Sequence, residues 1–365
     1  MLGGTQTFSK IDAKIFHEGM YIPSDLYCMH KDTYVLVMRG SVTLDKITLL
    51  KIKHLQASYG SLFMESHDYE DVSMQSEHFV KNLESVEFET NYTDLKNTTN
   101  NMLDQISETD TVPQKISQDT TKAIQEKIIK VDTAVIFQLL NNVRSVDEYL
   151  YTHSANVAFL NGLMAKWLGM SKTESSALIS GGLLHDIGKL KIPDEILNKP
   201  GKLTPEEFEV IKKHPVYSYD ILLNSGETNP IILTAARNHH EKVNGSGYPD
   251  GLVYDDISIP ARITAISDVY DAMITRRVYK APHSPFEILE EFARGSFINL
   301  DMELVKIFLE HMPNELLGKS VLLSNGSIAE IMFIDENNLS HPIVKVGTDV
   351  FQIDNNIKCV CMYKN

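Results

Sequence analysis

Five histidines and two aspartates in this chain of 365 residues occur where they could bind metal ions together. Imidazole and carboxylate groups are both good ligands for iron, manganese, nickel and zinc. A single histidine on a helix is usually a packed residue, so the prediction of metal binding rests on the combination and not on any one histidine. The predicted metal ligands are His153, His185, Asp186, His214, His239, His240 and Asp268.

Two pairs of adjacent residues suggest that the set holds two ions. Adjacent helical residues point about 100° apart, so His185 can bind one ion while the Asp186 carboxylate reaches across to a second. His239 and His240 can supply that second ion together with His214. Two metal ions a few ångströms apart can share a bridging water, lower its pKa and present hydroxide to phosphorus. The pattern therefore indicates hydrolysis of a phosphate ester, with no Ser or Cys nucleophile required.

Asp268 needs a partner wherever the fold places it. It lies in a helical run of otherwise small or apolar residues, and a lone buried charge is expensive. A metal ion is one such partner. A salt bridge to Arg262 or Arg277 is the other, and spacing alone does not decide between them.

The composition limits the classes of function. The formal net charge is −15, which argues against non-specific binding to DNA, RNA or anionic membranes, because these need a basic surface. The three cysteines, Cys28, Cys359 and Cys361, form neither a disulfide framework nor a standard zinc pattern. We find no signal peptide and no apolar run of membrane-spanning length, which predicts a cytoplasmic protein.

The elements that must position these residues fall into four predicted segments. Residues 1–66 read as a small α/β module, with strands over residues 33–38 and 62–64 and a helix over residues 43–54 capped by Thr43. Residues 67–115 are acidic and polar and predict a solvated linker, in which a mobile helix is the alternative to an irregular spacer. Residues 116–312 carry helical periodicity, and residues 313–365 predict a small β tail with a turn at Asn325–Gly326. The chain is therefore predicted to be mainly α.

The sequence around the histidines resembles the HD-GYP branch of the HD phosphohydrolases. One motif runs through His185–Asp186–Ile187–Gly188–Lys189, and a second combines His239–His240–Glu241 with Gly245–Ser246–Gly247–Tyr248–Pro249. A third runs from Pro260–Ala261–Arg262–Ile263 to Asp268–Val269–Tyr270–Asp271–Ala272, and Arg277–Val278–Tyr279–Lys280 closes the set. The match covers residues 147–312, and several motifs in the right order make it far more specific than one His-Asp pair.

This resemblance implies a helical HD-type domain that hydrolyses cyclic di-GMP to the linear dinucleotide pGpG or on to GMP. It implies two divalent ions, iron or manganese first and nickel or zinc as alternatives. By motif position, Asp186 would contribute to both ions. The first ion would also take His153, His185 and Asp268, and the second would take His214, His239 and His240.

The resemblance also implies how the ligand is held. Lys189 would act in catalysis beside Asp186, and with Arg277 and Lys280 it would face the phosphates of the cyclic dinucleotide. The loop at Gly247, Tyr248 and Pro249 would lie beside the site and could contact a signalling protein partner. For the loop itself, a structural role is at least as good an explanation as a direct catalytic one. Oligomer formation stays open.

Three departures from the family pattern bear on these expectations. Asn244 replaces the usual Asp before the loop, and Arg276–Arg277 replaces the Asp-Arg of the last motif. Some relatives hold a third ion through a glutamate four residues before the first histidine, where this chain has Tyr149 and Glu148 lies one residue off. We therefore predict a dinuclear centre. The alternatives are a catalytically silent cyclic-dinucleotide receptor and an HD hydrolase of another cyclic dinucleotide, such as cyclic GMP-AMP.

Overall fold

The computed structural model describes most of the chain in two units, Met1–Phe88 and Glu89–Asn365. The described residues are 7–30, 33–45, 48–49, 51–53, 56, 61–130, 149–199, 201–274, 284–297, 299–335, 338–354 and 356–362. Each unit has a core of its own, and the prediction of a mainly α chain with small flanking β structure is confirmed.

The first unit is built on an antiparallel sheet of four strands. Its order is β1 (Phe8–Ile11), β6 (Leu62–Glu65), β3 (Leu26–His30) and β4 (Thr33–Met38), while β2 (Tyr21–Ile22) pairs with β5 (Val42–Thr43). The two predicted strands correspond to β4 and β6. The side chains that alternate onto one face of the sheet, among them Ile11, Leu26 and Met64, form the core with Phe16.

The predicted cap Thr43 is wrong. Thr43 ends strand β5, and the helical residues described after it are 48, 49, 51–53 and 56. The Asp45 side chain accepts a hydrogen bond from the Thr48 amide at 2.7 Å, so Asp45 is the residue that satisfies a free N–H at the helix start. Both residue types cap well, and strand pairing of Thr43 with Tyr21 decides between them.

Helix α1, Ser66–Thr109, occupies most of the segment for which the sequence predicts a solvated linker. The structure differs from that prediction in its second half, where apolar side chains recur on one face and are buried within the second unit. These are Tyr92, Leu95, Met102, Leu103 and Ile106, with the buried Thr99 between them. The many Asn, Thr and Asp residues on the other faces dilute the composition and hide this narrow stripe.

The second unit is a helical bundle that continues from α1 into α2 (Gln114–Lys130). Two long helices, α3 (Tyr149–Trp167) and α4 (Lys172–Leu184), pack against each other, and Asn161 on α3 donates to the Leu178 carbonyl on α4 and to Thr264. The bundle is completed by α5 (Asp194–Leu197), α6 (Pro205–Ile211), α7 (His214–Asn224), α8 (Pro230–Asn238), α9 (Ile259–Ile274), α10 (Pro285–Ala293) and α11 (Met302–Leu316).

Sequence signals at the helix starts explain several of these boundaries. Ser171, Thr204 and Ser284 each accept a hydrogen bond from the amide three residues later and form a capping box with the glutamate there. Asn229 caps α8 in a similar way through the Ile231 amide. The chain reversals that bring the predicted ligands together are therefore encoded locally.

The C-terminal segment forms an antiparallel sheet in the order β10, β9, β8, β7, β11. Its strands are β7 (Ser320–Leu323), β8 (Ile328–Phe333), β9 (Ile343–Val346), β10 (Asp349–Gln352) and β11 (Cys359–Met362). The predicted small β tail is confirmed, and Gly326 makes the predicted turn with a φ of 85°, which favours glycine. Among the described helices, none combines the length and apolar character that a bilayer crossing requires.

Candidate metal centre

The ends and buried faces of five helices supply the predicted metal ligands. His153 lies on α3, and Asp268 lies on α9. The other five residues stand at helix termini: His185 and Asp186 follow α4, His214 begins α7, and His239 and His240 follow α8. Asp186 lies past the helix end, with φ −105° and ψ 7°, so it is not the helical neighbour of His185 that the sequence predicts.

All seven residues come together in two adjoining groups. One group comprises His153, His185 and Asp268, and the other comprises Asp186, His214, His239 and His240. Within each group every residue offers one ligand atom, and these atoms lie within 4.8 Å of one another. The structure thus brings together every residue that the sequence nominated as a metal ligand.

Asp186 faces both groups with its two carboxylate oxygens. Its Oδ2 atom lies 3.3 Å from Nε2 of His153 and 3.2 Å from Nε2 of His185. Its Oδ1 atom lies 3.2 Å from Nε2 of His214 and 3.8 Å from Nε2 of His239. This is the arrangement that a carboxylate bridging two ions requires.

Asp268 also lies between the groups. Its Oδ1 atom is 3.1 Å from Nε2 of His153, and its Oδ2 atom is 3.8 Å from Nδ1 of His240. Arg262, one of the two salt-bridge partners considered for Asp268, instead contacts Asp301 at 2.8 Å. The metal explanation of Asp268 is favoured over that salt bridge.

The histidine rings are oriented by hydrogen bonds on the side away from the centre. Nδ1 of His185 lies 2.7 Å from the Gly182 carbonyl, and Nδ1 of His214 lies 2.7 Å from the Ile211 carbonyl. Nδ1 of His239 lies 3.0 Å from the Ala236 carbonyl. A carbonyl oxygen only accepts, so each Nδ1 carries the proton and each Nε2 presents a lone pair to the centre.

These lone pairs give a test of whether a metal fits. Nε2 of His214 and Nε2 of His239 face each other at 3.4 Å, and both face carboxylate oxygens with no hydrogen between them. Within the described part of the chain, Nε2 of His185 and Oδ1 of Asp186 are buried without a hydrogen-bond partner. Converging lone pairs repel each other unless a cation lies among them, so the centre is built for divalent metal.

Burial and charge set the protonation states. Burial lowers the pKa of His239 well below its usual value, and it lowers the pKa of His240 to about 3, so both rings are neutral. Burial opposes ionisation of Asp186, but its electrostatic interactions with His185 and Lys189 outweigh this effect and hold the pKa of that carboxyl well below its usual value. Neutral imidazole and ionised carboxylate are the forms that bind metal.

His153 is held by a further carboxylate, Asp271, which is not among the predicted ligands. Nδ1 of His153 lies 2.8 Å from Oδ2 of Asp271, which is fully buried one helical turn after Asp268. The Asn156 amide donates to the other oxygen of Asp271 at 2.5 Å. A carboxylate behind a metal-binding histidine fixes the ring and raises its basicity. The sequence does contain a signal for this role, because Asp268 and Asp271 share one face of an apolar helix.

Two glycines allow the ligand-bearing elements to approach. A Cβ atom on Gly188 would lie 2.0 Å from the His214 carbonyl oxygen and 2.5 Å from the Ser218 amide nitrogen. A Cβ atom on Gly182 would lie 2.9 Å from Cα of Ala158 on α3. Glycine is therefore needed at position 188 for a steric reason, because any side chain there would push α7 and His214 away from Asp186.

Glu241 ties the loop that follows His240 to the centre. Its buried carboxylate accepts hydrogen bonds from the backbone amides of Asp250, Gly251 and Leu252, at 2.7, 3.1 and 3.0 Å. Arg237 on α8 donates two hydrogen bonds to the Asp250 side chain, which attaches the same loop to the helix that precedes His239. The loop thus cannot move independently of the two histidines that precede it.

The loop places an aromatic ring against the centre. Tyr248 lies 4.7 Å from His240 between ring centroids, and burial raises the pKa of its hydroxyl. A Cβ atom on Gly247 would lie 2.4 Å from Cα of Glu241, so only glycine permits this approach. Asn244 accepts from the Ser246 amide and hydroxyl, which shows that the neutral side chain still closes the turn.

The outer edge of the centre is formed by His240 and Asp268. Their side chains are 25% and 13% exposed, whereas those of the other five residues are exposed by 1% or less. Lys189 stands beside this edge with Nζ 2.5 Å from Oδ2 of Asp186. Arg277 and Lys280, the other residues predicted to face phosphate, lie outside the described residues, as do Glu148 and the side chain of Tyr149.

Comparison with known proteins agrees with this architecture. The family model described as HD domain matches residues 138–304. A cyclic di-GMP phosphodiesterase of Pseudomonas aeruginosa is 32% identical over 230 residues, which cover 63% of this chain and 55% of the relative. A cyclic di-GMP phosphodiesterase of Thermotoga maritima is 39% identical over 182 residues, covering 48% of this chain and 49% of the relative.

A 3'3'-cGAMP-specific phosphodiesterase of Vibrio cholerae is 38% identical over 178 residues, covering 48% of this chain and 34% of the relative. The chain thus spans roughly half of its relatives' length or less. A solved structure of an HDG"Y"P protein from Bdellovibrio bacteriovorus aligns with a TM-score of 0.48 and 17% identity, covering 84% of this chain and 99% of that one. The resemblance found in the motifs is confirmed by the sequence matches, and residues 138–304 of this chain match the HD-domain family.

Proposed function

We propose that this chain is a metal-dependent phosphodiesterase that hydrolyses cyclic di-GMP to pGpG, to GMP or to both. The observation that carries the proposal is the position of Asp186, whose two oxygens each face a separate cluster of histidine Nε2 atoms. The names of the Pseudomonas and Thermotoga relatives support cyclic di-GMP as the substrate. The catalytic part corresponds to the predicted helical segment, residues 116–312.

We assign two divalent ions to the centre, with iron or manganese as the metals that best fit its imidazole and carboxylate donors. One would be held by His153, His185, Asp186 and Asp268, and the other would be held by Asp186, His214, His239 and His240. When bound, such ions supply Lewis acidity toward phosphoryl oxygen and an activated water. The chain itself keeps His239 and His240 neutral, holds Asp186 ionised and limits solvent to the edge at His240 and Asp268.

The substrate's phosphates are assigned to Lys189, Arg277 and Lys280. Lys189 is anchored by Asp186 at 2.5 Å, so its charge stays beside the centre when a phosphate approaches the edge at His240. Arginine suits a phosphate as a planar fork and lysine as a point charge. The Tyr248 ring, packed on His240, offers a flat surface beside the same edge.

A second candidate substrate is 3'3'-cyclic GMP-AMP. The reason is specific: two relatives from Vibrio cholerae, 38% and 39% identical, are named as phosphodiesterases for that dinucleotide. The metal centre does not distinguish the two, since it acts on the phosphate and not on the base. A silent receptor is the third alternative, and retention of every predicted ligand favours catalysis over it.

The test combines metal analysis with product identification. The purified chain is stripped of metal, reloaded with Mn²⁺ or Fe²⁺, and incubated with cyclic di-GMP, 3'3'-cyclic GMP-AMP and cyclic di-AMP, while products are identified by mass spectrometry. We expect hydrolysis of cyclic di-GMP only in the reloaded protein. Binding without turnover in any metal form would establish the receptor alternative, and faster cleavage of cyclic GMP-AMP would transfer the assignment to that substrate.

A further inference from the structure

A chain of four buried side chains leads from helix α1 to the metal centre. The Tyr92 hydroxyl on α1 donates a hydrogen bond to Oδ1 of Asn156 on α3. The Asn156 amide donates to Oδ1 of Asp271 at 2.5 Å, and Oδ2 of Asp271 lies 2.8 Å from Nδ1 of His153. Tyr92 is 7% exposed, and the other three are exposed by 1% or less.

The chemistry of these groups fixes which atom donates and which accepts in each hydrogen bond. A carboxylate only accepts, so the amide of Asn156 must turn its NH₂ toward Asp271 and its oxygen toward Tyr92. A hydroxyl is the donor that this oxygen needs, because a buried acceptor is costly unless a donor satisfies it. Asp271 accepts from the Asn156 amide at one oxygen and from Nδ1–H of His153 at the other. The Asn156 bond therefore fixes the carboxylate, and the carboxylate fixes the ring of His153 with its Nε2 directed at Asp186 and Asp268.

We propose that Tyr92 is a positioning residue of the metal centre, acting on His153 through Asn156 and Asp271. This inference rests on the metal centre of the proposed function and deepens it. It assigns a role in metal binding to helix α1, an element that carries none of the predicted metal ligands. The helix is held in place for this task by the buried face around Tyr92, which includes Leu95 and Met102.

The seating of α1 and the affinity of the first ion are therefore coupled. If α1 rotates or slides, the Tyr92 hydroxyl leaves Asn156, the amide is free to turn, and Asp271 loses the donor that fixes one of its oxygens. The imidazole of His153 then samples orientations that do not direct Nε2 into the centre. Residues behind a metal ligand commonly change metal affinity by about 10–100-fold when they are mutated, and a residue two steps further back is expected to cost about 3–10-fold.

The test uses the full chain and Tyr92→Phe, which removes the hydroxyl and keeps the ring that packs 6.0 Å from Phe159. Mn²⁺ binding to the metal-free protein is measured by calorimetry, and kcat and KM for cyclic di-GMP are measured with saturating Mn²⁺. We expect about 3–10-fold weaker binding of one of two Mn²⁺ ions, with a lower kcat and an unchanged KM. The matched control is Thr99→Val, which removes a buried hydroxyl from the same helix. This hydroxyl donates to the Leu95 carbonyl of α1 and therefore lies outside the chain that leads to His153.

A double variant separates positioning from a general loss of stability. Asn156→Ala breaks the chain downstream of Tyr92, so adding Tyr92→Phe to it should cause no further loss of Mn²⁺ affinity, whereas independent effects would add. Wild-type Mn²⁺ affinity in Tyr92→Phe, or equal losses in Tyr92→Phe and Thr99→Val, would overturn the inference. The metal titration needs no turnover, so a chain that binds Mn²⁺ but does not cleave cyclic di-GMP would refute the proposed substrate and still decide the role of Tyr92.

Discussion

Nε2 of His214 lies 3.2 Å from Oδ1 of Asp186, and neither atom carries a hydrogen that could join them. His214 begins helix α7, and Asp186 follows helix α4, so the contact depends on how closely the two elements pack. That packing depends in turn on Gly188, because its missing side chain is what lets α7 approach. The pairing of these two residues therefore tests both the fold and the chemistry of the centre.

Asp186→Ala should abolish hydrolysis of cyclic di-GMP and lower the metal content below two ions per chain. The substitution removes a ligand from both ions, and even a residue behind a ligand commonly costs about 10–100-fold, so the loss should exceed about 100-fold. Metal analysis and turnover are measured together, with the exposed Asp194→Ala as control. Full metal stoichiometry with wild-type activity would refute a bridging role for Asp186.

Gly188→Ala should displace His214 and weaken the second ion. The added Cβ would lie 2.0 Å from the His214 carbonyl oxygen, which forces the backbone of α7 to move. Overpacking of this kind typically costs about 1–3 kcal/mol, so the free energy of unfolding should fall by that amount. Denaturant titration and metal analysis measure the two effects, and an unchanged metal content in a destabilised variant would separate packing from metal binding.

Glu241→Gln should loosen the loop that carries Tyr248. Its ionised carboxylate accepts three backbone hydrogen bonds, whereas an amide can offer one oxygen and would turn an NH₂ group toward N–H donors. We expect about 1.5–3 kcal/mol of lost stability, together with faster proteolysis within the loop. The exposed Glu303→Gln serves as the control, and equal proteolysis of the two variants would count against the clamp.

Arg277→Ala and Lys280→Ala should raise the KM for cyclic di-GMP and leave both ions in place. Both cations are predicted to face phosphate, and loss of uniform binding raises KM without lowering kcat. Steady-state kinetics and metal analysis of each variant provide the test, with the exposed Lys306→Ala as control. If both variants keep wild-type kinetics, the assigned substrate face is wrong.

The centre should hold two ions and not three. Tyr149 occupies the position from which some relatives supply a glutamate, and a neutral phenol is a poor ligand beside carboxylate and imidazole. An anomalous-scattering map of crystals grown in excess Mn²⁺ gives the count directly. A third peak in this pocket would contradict the prediction and would point to Asp147 or Glu148 as the additional ligand.

The ligands could be predicted from sequence because helix ends present adjacent residues to one point. His185–Asp186 and His239–His240 each follow a helix directly, so local pattern was enough to nominate them. Asp271 could have been nominated too, because it lies one helical turn after Asp268 on the same face. Tyr92 could not have been found, because its role depends on a contact with Asn156 that joins two distant parts of the chain.

The amino-acid composition gave an incomplete prediction where the buried face of a helix is narrow. The polar segment before residue 115 is predicted to be a solvated linker that could contain a mobile helix. Most of it forms helix α1, and the prediction fails in the second half of this helix, where a single stripe of side chains is buried. The cap of the N-terminal helix was misplaced for a related reason: Thr43 and Asp45 are both good caps, and only the pairing of Thr43 with Tyr21 identifies the one in use. In both cases tertiary contacts override local preference.

The narrow edge formed by His240 and Asp268 has a kinetic consequence. Five of the seven ligand side chains are sealed, so an ion that leaves must pass these two residues and shed its bonds to ligands from several helices. Exchange with ions in solution is therefore expected to be slow compared with turnover. The metal found in freshly purified protein is then the ion that was available while the chain folded. The metal content of the growth medium is therefore expected to determine which metal form of the protein is obtained.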